Sequence, residues 1–177
     1  FSYYFGRMSG AFFEKKFPVI ADITRAQYQE LAHKCLHEAL IPNLYLEMRT
    51  LVEEAKQAGR SILLASSSID IIIEPLAAYF GVDYLATRIE FQNGVSTGYF
   101  IPPAVFAEKK RDQVLAYMKA HGIIPEQSRF FSDSYNDLPL LEQVGEPVVV
   151  NPDIRLKQVA RKRGWEIRMI SRTEKKP

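Results

Sequence analysis

The chain has 177 residues, 47% of them apolar and 12% aromatic, enough for one domain with a hydrophobic core and a small insert. Its 23 basic and 21 acidic residues nearly balance, so a nucleic-acid partner is not expected, and the basic residues near the C-terminus are interpreted as a solvated helix face. The longest apolar runs fall short of the roughly 20 residues of a membrane span. A single cysteine, Cys35, excludes a disulfide framework and favours a reducing, cytoplasmic location.

The first 58 residues are predicted to be mainly helical. Aromatic and apolar residues at helical spacing predict a first helix over residues 1–12, and a polar break follows it. Thr24 and Gln27 form a predicted capping box. The helix that this box opens carries an apolar stripe of Tyr28, Leu31, Ala32, Cys35, Leu36 and Ala39. A further helix is predicted from Leu44 to a stop at Gly59.

From residue 61 the pattern changes to alternating strands and helices. The predicted strands are Ser61–Ala65, Tyr84–Thr87, Arg129–Ser132, Val148–Val150 and Glu166–Ile170. The predicted helices are Ile69–Phe80, Lys109–His121, Leu138–Val144 and Ile154–Arg163, each followed by a glycine. Asn93-Gly94 predicts a hairpin within residues 88–100. This alternation is typical of an α/β fold with a Rossmann-like parallel sheet covered by helices on both faces.

Polar residues follow two of these strands, and two lysines begin a helix between them. Ser66, Ser67 and Ser68 come after the first strand; Asp133, Ser134, Asn136 and Asp137 come after the third; Lys109 and Lys110 open the helix. Taken singly, the serines and Asp137 are typical of helix N-caps, and lysines in a first turn are typically solvated. Together, hydroxyl, ammonium and carboxylate groups at one sheet edge predict a site for a phosphate group and a divalent cation.

Several stretches resemble the motifs of one known family. The run SDSYNDLPLLEQVGEPVVVNPDIRLKQVARKRGW at 132–165 resembles the last motif of the haloacid dehalogenase superfamily, in its phosphoserine-phosphatase-like branch. ILLASSS at 62–68 resembles the serine motif, and AEKKRDQVL at 107–115 resembles the lysine motif, in which spacing favours Lys110 over Lys109. LATRIEFQNGVSTGYF at 85–100 resembles the connecting hairpin of the branch, and the likeness extends over roughly residues 20–170.

The resemblance implies a Mg²⁺-dependent hydrolase of phosphate esters that acts on a small phosphorylated metabolite. It implies that residues 1–58 form a helical cap and residues 59–177 the α/β core. Ser66, with Ser67 beside it, and Lys110 would hold the phosphoryl group, and Asn136 would shape the phosphate site. Asp133 would bind Mg²⁺, while Asp137 would support the metal through water or orient the lysine. Neither an oligomeric state nor a particular substrate is indicated.

The family works through an aspartyl-phosphate intermediate, and its early nucleophile motif, D-x-D-x-T/V, is not found in this sequence. VIADIT at 19–24 offers only Asp22, for which a turn or capping role is favoured. We therefore expect the nucleophile strand to lie upstream of Phe1. The alternatives are a nucleophile-lacking binding or scaffold domain and a phosphoacceptor receiver module. The receiver is disfavoured because its acidic residues precede its hydroxyl and lysine, whereas the order here is Ser66, Lys110, Asp133.

Overall fold

The structure, a computed structural model, describes residues 10–171 of the chain. They divide into two compact units, which we call the first unit (Ala11–Val105) and the second unit (Phe106–Ile170). Of the helix predicted over residues 1–12, the larger part lies outside the described residues, and the stretch Gly10–Glu14 forms a 3-10 helix. The predicted boundary between residues 58 and 59 stays a prediction. No helix within residues 10–171 is both long and apolar enough to cross a membrane.

The first unit combines a sheet with three α-helices among its described residues. In chain order its elements are β1 (Ala21–Thr24), α1 (Arg25–Cys35), α2 (Leu46–Gln57), β2 (Leu63–Ile69), α3 (Asp70–Phe80), β3 (Asp83–Gln92) and β4 (Val95–Ile101). The sheet order is β1-β4-β3-β2. The first half of β3 pairs in parallel with β2, and its second half pairs antiparallel with β4. The predicted hairpin is confirmed, with Asn93 and Gly94 both at positive φ between β3 and β4.

The helices of the first unit follow the predicted order with two corrections on burial. The capping box is confirmed, because Thr24 and Gln27 exchange side-chain-to-backbone hydrogen bonds at the start of α1. Of the predicted apolar stripe, Tyr28, Ala32 and Leu36 are buried and Cys35 is half-buried, but Leu31 is 53% exposed and Ala39 is exposed as well. At about 100° per residue, Leu31 lies about 60° from Tyr28 on the side away from Ala32 and Leu36, outside the buried arc. The helix continues as a π-helical turn to Leu40.

The second unit is built on a three-stranded parallel sheet with the order β5-β6-β7. Its elements are α4 (Ala107–Ala120), β5 (Arg129–Ser132), α5 (Leu138–Leu141), β6 (Glu146–Val150), α6 (Ile154–Arg163) and β7 (Glu166–Arg168). Leu141, Val149, Leu156 and Ala160 are fully buried and form its core. Gly164 ends α6 in the left-handed region with φ 67°, where residues with a side chain are strained.

The α/β fold predicted from the sequence is confirmed, and the bounds of β5 and α6 are those predicted. Two differences matter for the candidate site. Strand β2 does not stop at Ala65 but runs on to Ile69, so Ser66, Ser67 and Ser68 lie within the strand rather than after it. Pairing with β3 explains the extension, because Ser66 pairs with Ala86 and Ile69 with Thr87 across a register shift. Helix α5 is shorter than predicted and ends at Leu141.

Candidate active site

The loop after β5 carries the acidic residues singled out in the sequence. Strand β5 ends at Ser132, and a short 3-10 turn, Tyr135–Asp137, leads directly into α5. The Ser134 hydroxyl accepts a hydrogen bond from the Asn136 backbone N–H at 3.3 Å and so caps this turn. Since β5 is paired along its length with β6, the sheet fixes the point at which this loop begins.

Asp137 stands at the centre of a buried polar network. Its Oδ1 atom lies 2.6 Å from the ammonium nitrogen of Lys110, and its Oδ2 atom accepts a hydrogen bond from the Ser132 hydroxyl at 2.7 Å. All three residues are buried, with 5–8% of their surface exposed. A buried charge is tolerated only when it is paired and hydrogen-bonded, and each oxygen of Asp137 has such a partner.

This geometry overturns two simpler interpretations of these residues. Asp137 occupies the N-cap position of α5, but its side chain makes no capping hydrogen bond. Lys110 is not a solvated first-turn lysine, because its ammonium group is buried against Asp137. The neighbouring Lys109 is exposed. Of the two candidate lysines, it is therefore Lys110 that contacts the acidic loop.

Asp153, which is not among the predicted site residues, ties the acidic loop to the start of α6. Its side chain caps α6 by accepting from Leu156 N at 2.9 Å, and its other oxygen accepts from Tyr135 N at 2.6 Å. Its own backbone N–H donates to the carbonyl oxygen of Asp133 at 2.9 Å. The position of the Asp133 backbone is thus set from two neighbouring strands. The only signal in the sequence was an aspartate directly before an apolar helical run, which predicts an N-cap and no more.

Asp133 is the member of the loop that remains open to solvent. Partial removal of hydration from its carboxyl group is the main reason why the pKa of Asp133 lies above its ordinary value, even though the residue as a whole is exposed. The negative charges of Asp137 and Asp153 raise this pKa further, and the positive charge of Lys110 opposes them. A second positive charge at Asp133 would relieve this excess of negative charge.

The predicted serines lie in the first unit. Ser66 and Ser67 are half-buried in β2, and the Ser66 hydroxyl accepts from the Ser68 backbone N–H at 3.1 Å. Close by in sequence, Asp70 begins α3 and accepts from Ile71 N at 3.0 Å and from Ile89 N at 3.3 Å. The hydrogen bond from Ile89 N joins the start of α3 to β3, and the sequence alone does not predict it. The meeting of Ser66 with Lys110 and Asp133 at one phosphate stays a prediction.

The residues of the second unit fit Mg²⁺ in kind. Asp133 is an exposed residue with hard carboxylate oxygens, whereas both oxygens of Asp137 are already engaged. Mg²⁺ keeps several waters and is held by one or two carboxylates together with substrate phosphates. No group of three or more His, Cys, Asp or Glu side chains among residues 10–171 is placed to enclose a metal ion. One open carboxylate suits an ion held jointly with a phosphate rather than a closed metal centre.

Comparison with known proteins agrees with the fold and the motifs. Residues 1–142 match the haloacid dehalogenase-like hydrolase family. A histidinol-phosphatase of Neisseria meningitidis is 33% identical over 156 residues, 84% of this chain and 70% of that protein. The phosphoserine phosphatase SerB1 of Mycobacterium tuberculosis is 30% identical over 144 residues, 81% of this chain and 47% of that protein. The crystal structure of a protein of unknown function from Bordetella pertussis superposes with a TM-score of 0.78 at 28% identity, covering 88% of this chain and 70% of that one.

The chain therefore belongs to the haloacid dehalogenase-like hydrolase family. Within it, the resemblance to the phosphoserine-phosphatase-like branch is confirmed. The chain spans about half the length of several of its curated relatives, the M. tuberculosis phosphatase among them.

Proposed function

We infer that this protein is a Mg²⁺-dependent phosphatase that hydrolyses a phosphate monoester of a small metabolite. In the net reaction the ester P–O bond breaks, the phosphate group gains the oxygen of a water molecule, and the alcohol leaves with a proton. The proposal rests mainly on the buried Lys110–Asp137 pair, whose charges act on the carboxyl group of the exposed residue Asp133. The similar proteins from N. meningitidis and M. tuberculosis support this class of reaction, since both are named as phosphatases.

Lys110 is proposed to bind the phosphoryl group. An ammonium group neutralises the charge carried by phosphate oxygens during phosphoryl transfer. A lysine side chain is flexible and costs rotamer entropy to fix, but the contact with Asp137 and the burial of its stem hold Lys110 in one place beforehand. Asp137 is proposed to orient this lysine, which is the second of the two roles predicted for it.

Asp133 is proposed to hold Mg²⁺, and Asn136 to shape the phosphate site next to it. Bound there, Mg²⁺ would neutralise charge on the phosphate oxygens. The hydrogen bond from the Asp153 backbone N–H to the carbonyl oxygen of Asp133 keeps the Asp133 backbone in place. Ser66, with Ser67 beside it, is proposed to donate its hydroxyl hydrogen to the same phosphate group. An aspartyl-phosphate intermediate belongs to the proposal, as the family resemblance implies.

A cytoplasmic location is also proposed, because the one cysteine of the chain, Cys35, is free.

The test is release of inorganic phosphate by the full-length protein from a panel of esters that includes phosphoserine and histidinol phosphate. We expect turnover of at least one ester with Mg²⁺ and its loss after chelation with EDTA. Lys110→Met is expected to lower kcat about a hundredfold or more, and Lys109→Met, the matched control on the adjacent exposed residue, is expected to leave it unchanged. Equal activity of the two variants would refute the assignment of Lys110, and turnover that is indifferent to EDTA would refute the metal requirement.

A further inference from the structure

We propose that Ser132 is a positioning residue that links the lysine end of the site to its metal end. The inference rests on the proposed function and extends it to a residue outside the predicted site residues. Ser132 is the last residue of β5, is 8% exposed, and its hydroxyl has one partner on each side. A buried serine at the end of a paired strand has its backbone fixed by the sheet, so its side chain is a firm reference point.

The first partner lies on the lysine side. The Ser132 hydroxyl must donate its hydrogen to Asp137 Oδ2, 2.7 Å away, because an ionised carboxylate can only accept. The other oxygen of Asp137 faces Lys110 at 2.6 Å. With both oxygens held, the carboxylate of Asp137 has one orientation, and the ammonium group of Lys110 is directed by it. Ser132 therefore acts on Lys110 through Asp137.

The second partner lies on the metal side. The Ser132 oxygen accepts from the backbone N–H of Ser134 at 3.1 Å, across the peptide that carries Asp133. This contact closes a small turn around Asp133 and limits the directions in which its carboxylate can point. One hydroxyl group thus constrains both Lys110 and Asp133, and its loss would loosen both together without removing either functional group.

Ser132→Ala in the full-length protein is the main test, with p-nitrophenyl phosphate and Mg²⁺ in the assay. We expect kcat to fall about tenfold to a hundredfold while KM changes less than about threefold, since groups that orient site residues typically have effects of this size. Ser132→Thr keeps the hydroxyl and is expected to recover most of kcat. Ser128→Ala is the matched control, because this serine of the same unit donates its hydroxyl to Ile124 O away from the acidic loop.

Amide hydrogen exchange of the metal-free protein gives a readout that does not depend on turnover. Ser132→Ala is expected to speed exchange across residues 133–137, and both Ser132→Thr and Ser128→Ala should leave it at the wild-type rate. Unchanged exchange in Ser132→Ala, or a kcat within twofold of an active wild type, would overturn the inference. If Ser132→Thr does not restore kcat, the amide exchange of Ser132→Ala decides whether Ser132 positions the loop. A wild-type protein that releases no phosphate would refute the proposed function, while the exchange measurement would still test the role of Ser132.

Discussion

The burial of the Lys110–Asp137 pair predicts how much the free energy of unfolding falls when either partner is removed. Their side chains are only 7% and 11% exposed, so removing either partner leaves a charge buried without its counter-ion. Lys110→Met keeps the length of the side chain and removes the charge, and Asp137→Asn does the same for the carboxylate. Losing one partner of a buried pair costs about 3–5 kcal/mol. In the double variant no charge remains, so we expect its cost to lie about 3 kcal/mol or more below the sum of the two single costs.

Urea denaturation of the full-length protein measures these costs. With a slope of about 2 kcal/mol per molar urea, a loss of 3 kcal/mol lowers the midpoint by about 1.5 M. The control is Lys56→Met, because Lys56 lies 3.7 Å from Glu53 in a pair whose side chains are 39% and 55% exposed. An exposed pair contributes about 1 kcal/mol or less. Single costs that simply add in the double variant would refute the reasoning that Lys110 and Asp137 act as one buried unit.

Substitutions at three further positions test other parts of the account. Asp153→Ala removes the cap of α6 and an acceptor of the acidic loop, and we expect it to lower the free energy of unfolding by about 2–3 kcal/mol in urea denaturation. Burial raises the pKa of Asp70 from 3.8, so the folded protein holds this proton more tightly than the unfolded chain and loses stability as pH rises from 3.8 through the raised value. Asp70→Asn should make that loss smaller, and an identical pH dependence of the urea midpoint would contradict this. Thr87→Val leaves the buried N–H of Val105 unpaired and should cost about 1–3 kcal/mol, whereas Thr87→Ser, which keeps the hydroxyl, should cost clearly less in the same measurement.

Much of the fold follows from local signals. Gly81 and Gly164 end α3 and α6 in the left-handed conformation that glycine adopts without strain, and Asn93-Gly94 makes the turn expected of it. Such residues act through their own backbone preferences, so their effect can be read without knowing what lies near them in space. For the same reason the predicted end of α6 at Arg163, just before Gly164, agrees with the structure.

Features that depend on distant partners could not be read in this way. Strand β1 has only four residues, and the sequence alone predicts a polar break there. It is a strand because it pairs with β4, about seventy residues later in the chain. Leu31 belongs to an apolar stripe by spacing, but what covers each side of a helix is decided by packing. The extension of β2 to Ile69 likewise depends on its register with β3.

In the candidate site, too, some features follow from local signals in the sequence and others depend on distant partners. Motif spacing pointed to Lys110, Asp133 and Asp137, because the chemistry of a phosphate site needs those side chains. The burial of Lys110 depends on Asp137, 27 positions later, and a lysine in the first turn of a helix gives no local sign of it. Ser132 resembles an ordinary small residue at the end of a strand, and its two hydrogen bonds become visible only when the loop is folded.

The most direct test of the central claim is a crystal structure of the full-length protein with Mg²⁺ and orthophosphate. The account predicts phosphate oxygens within hydrogen-bond distance of the Lys110 ammonium group and the Ser66 hydroxyl, with Mg²⁺ bound by the Asp133 carboxylate. Phosphate held by other residues, or a metal ion bound away from Asp133, would contradict it.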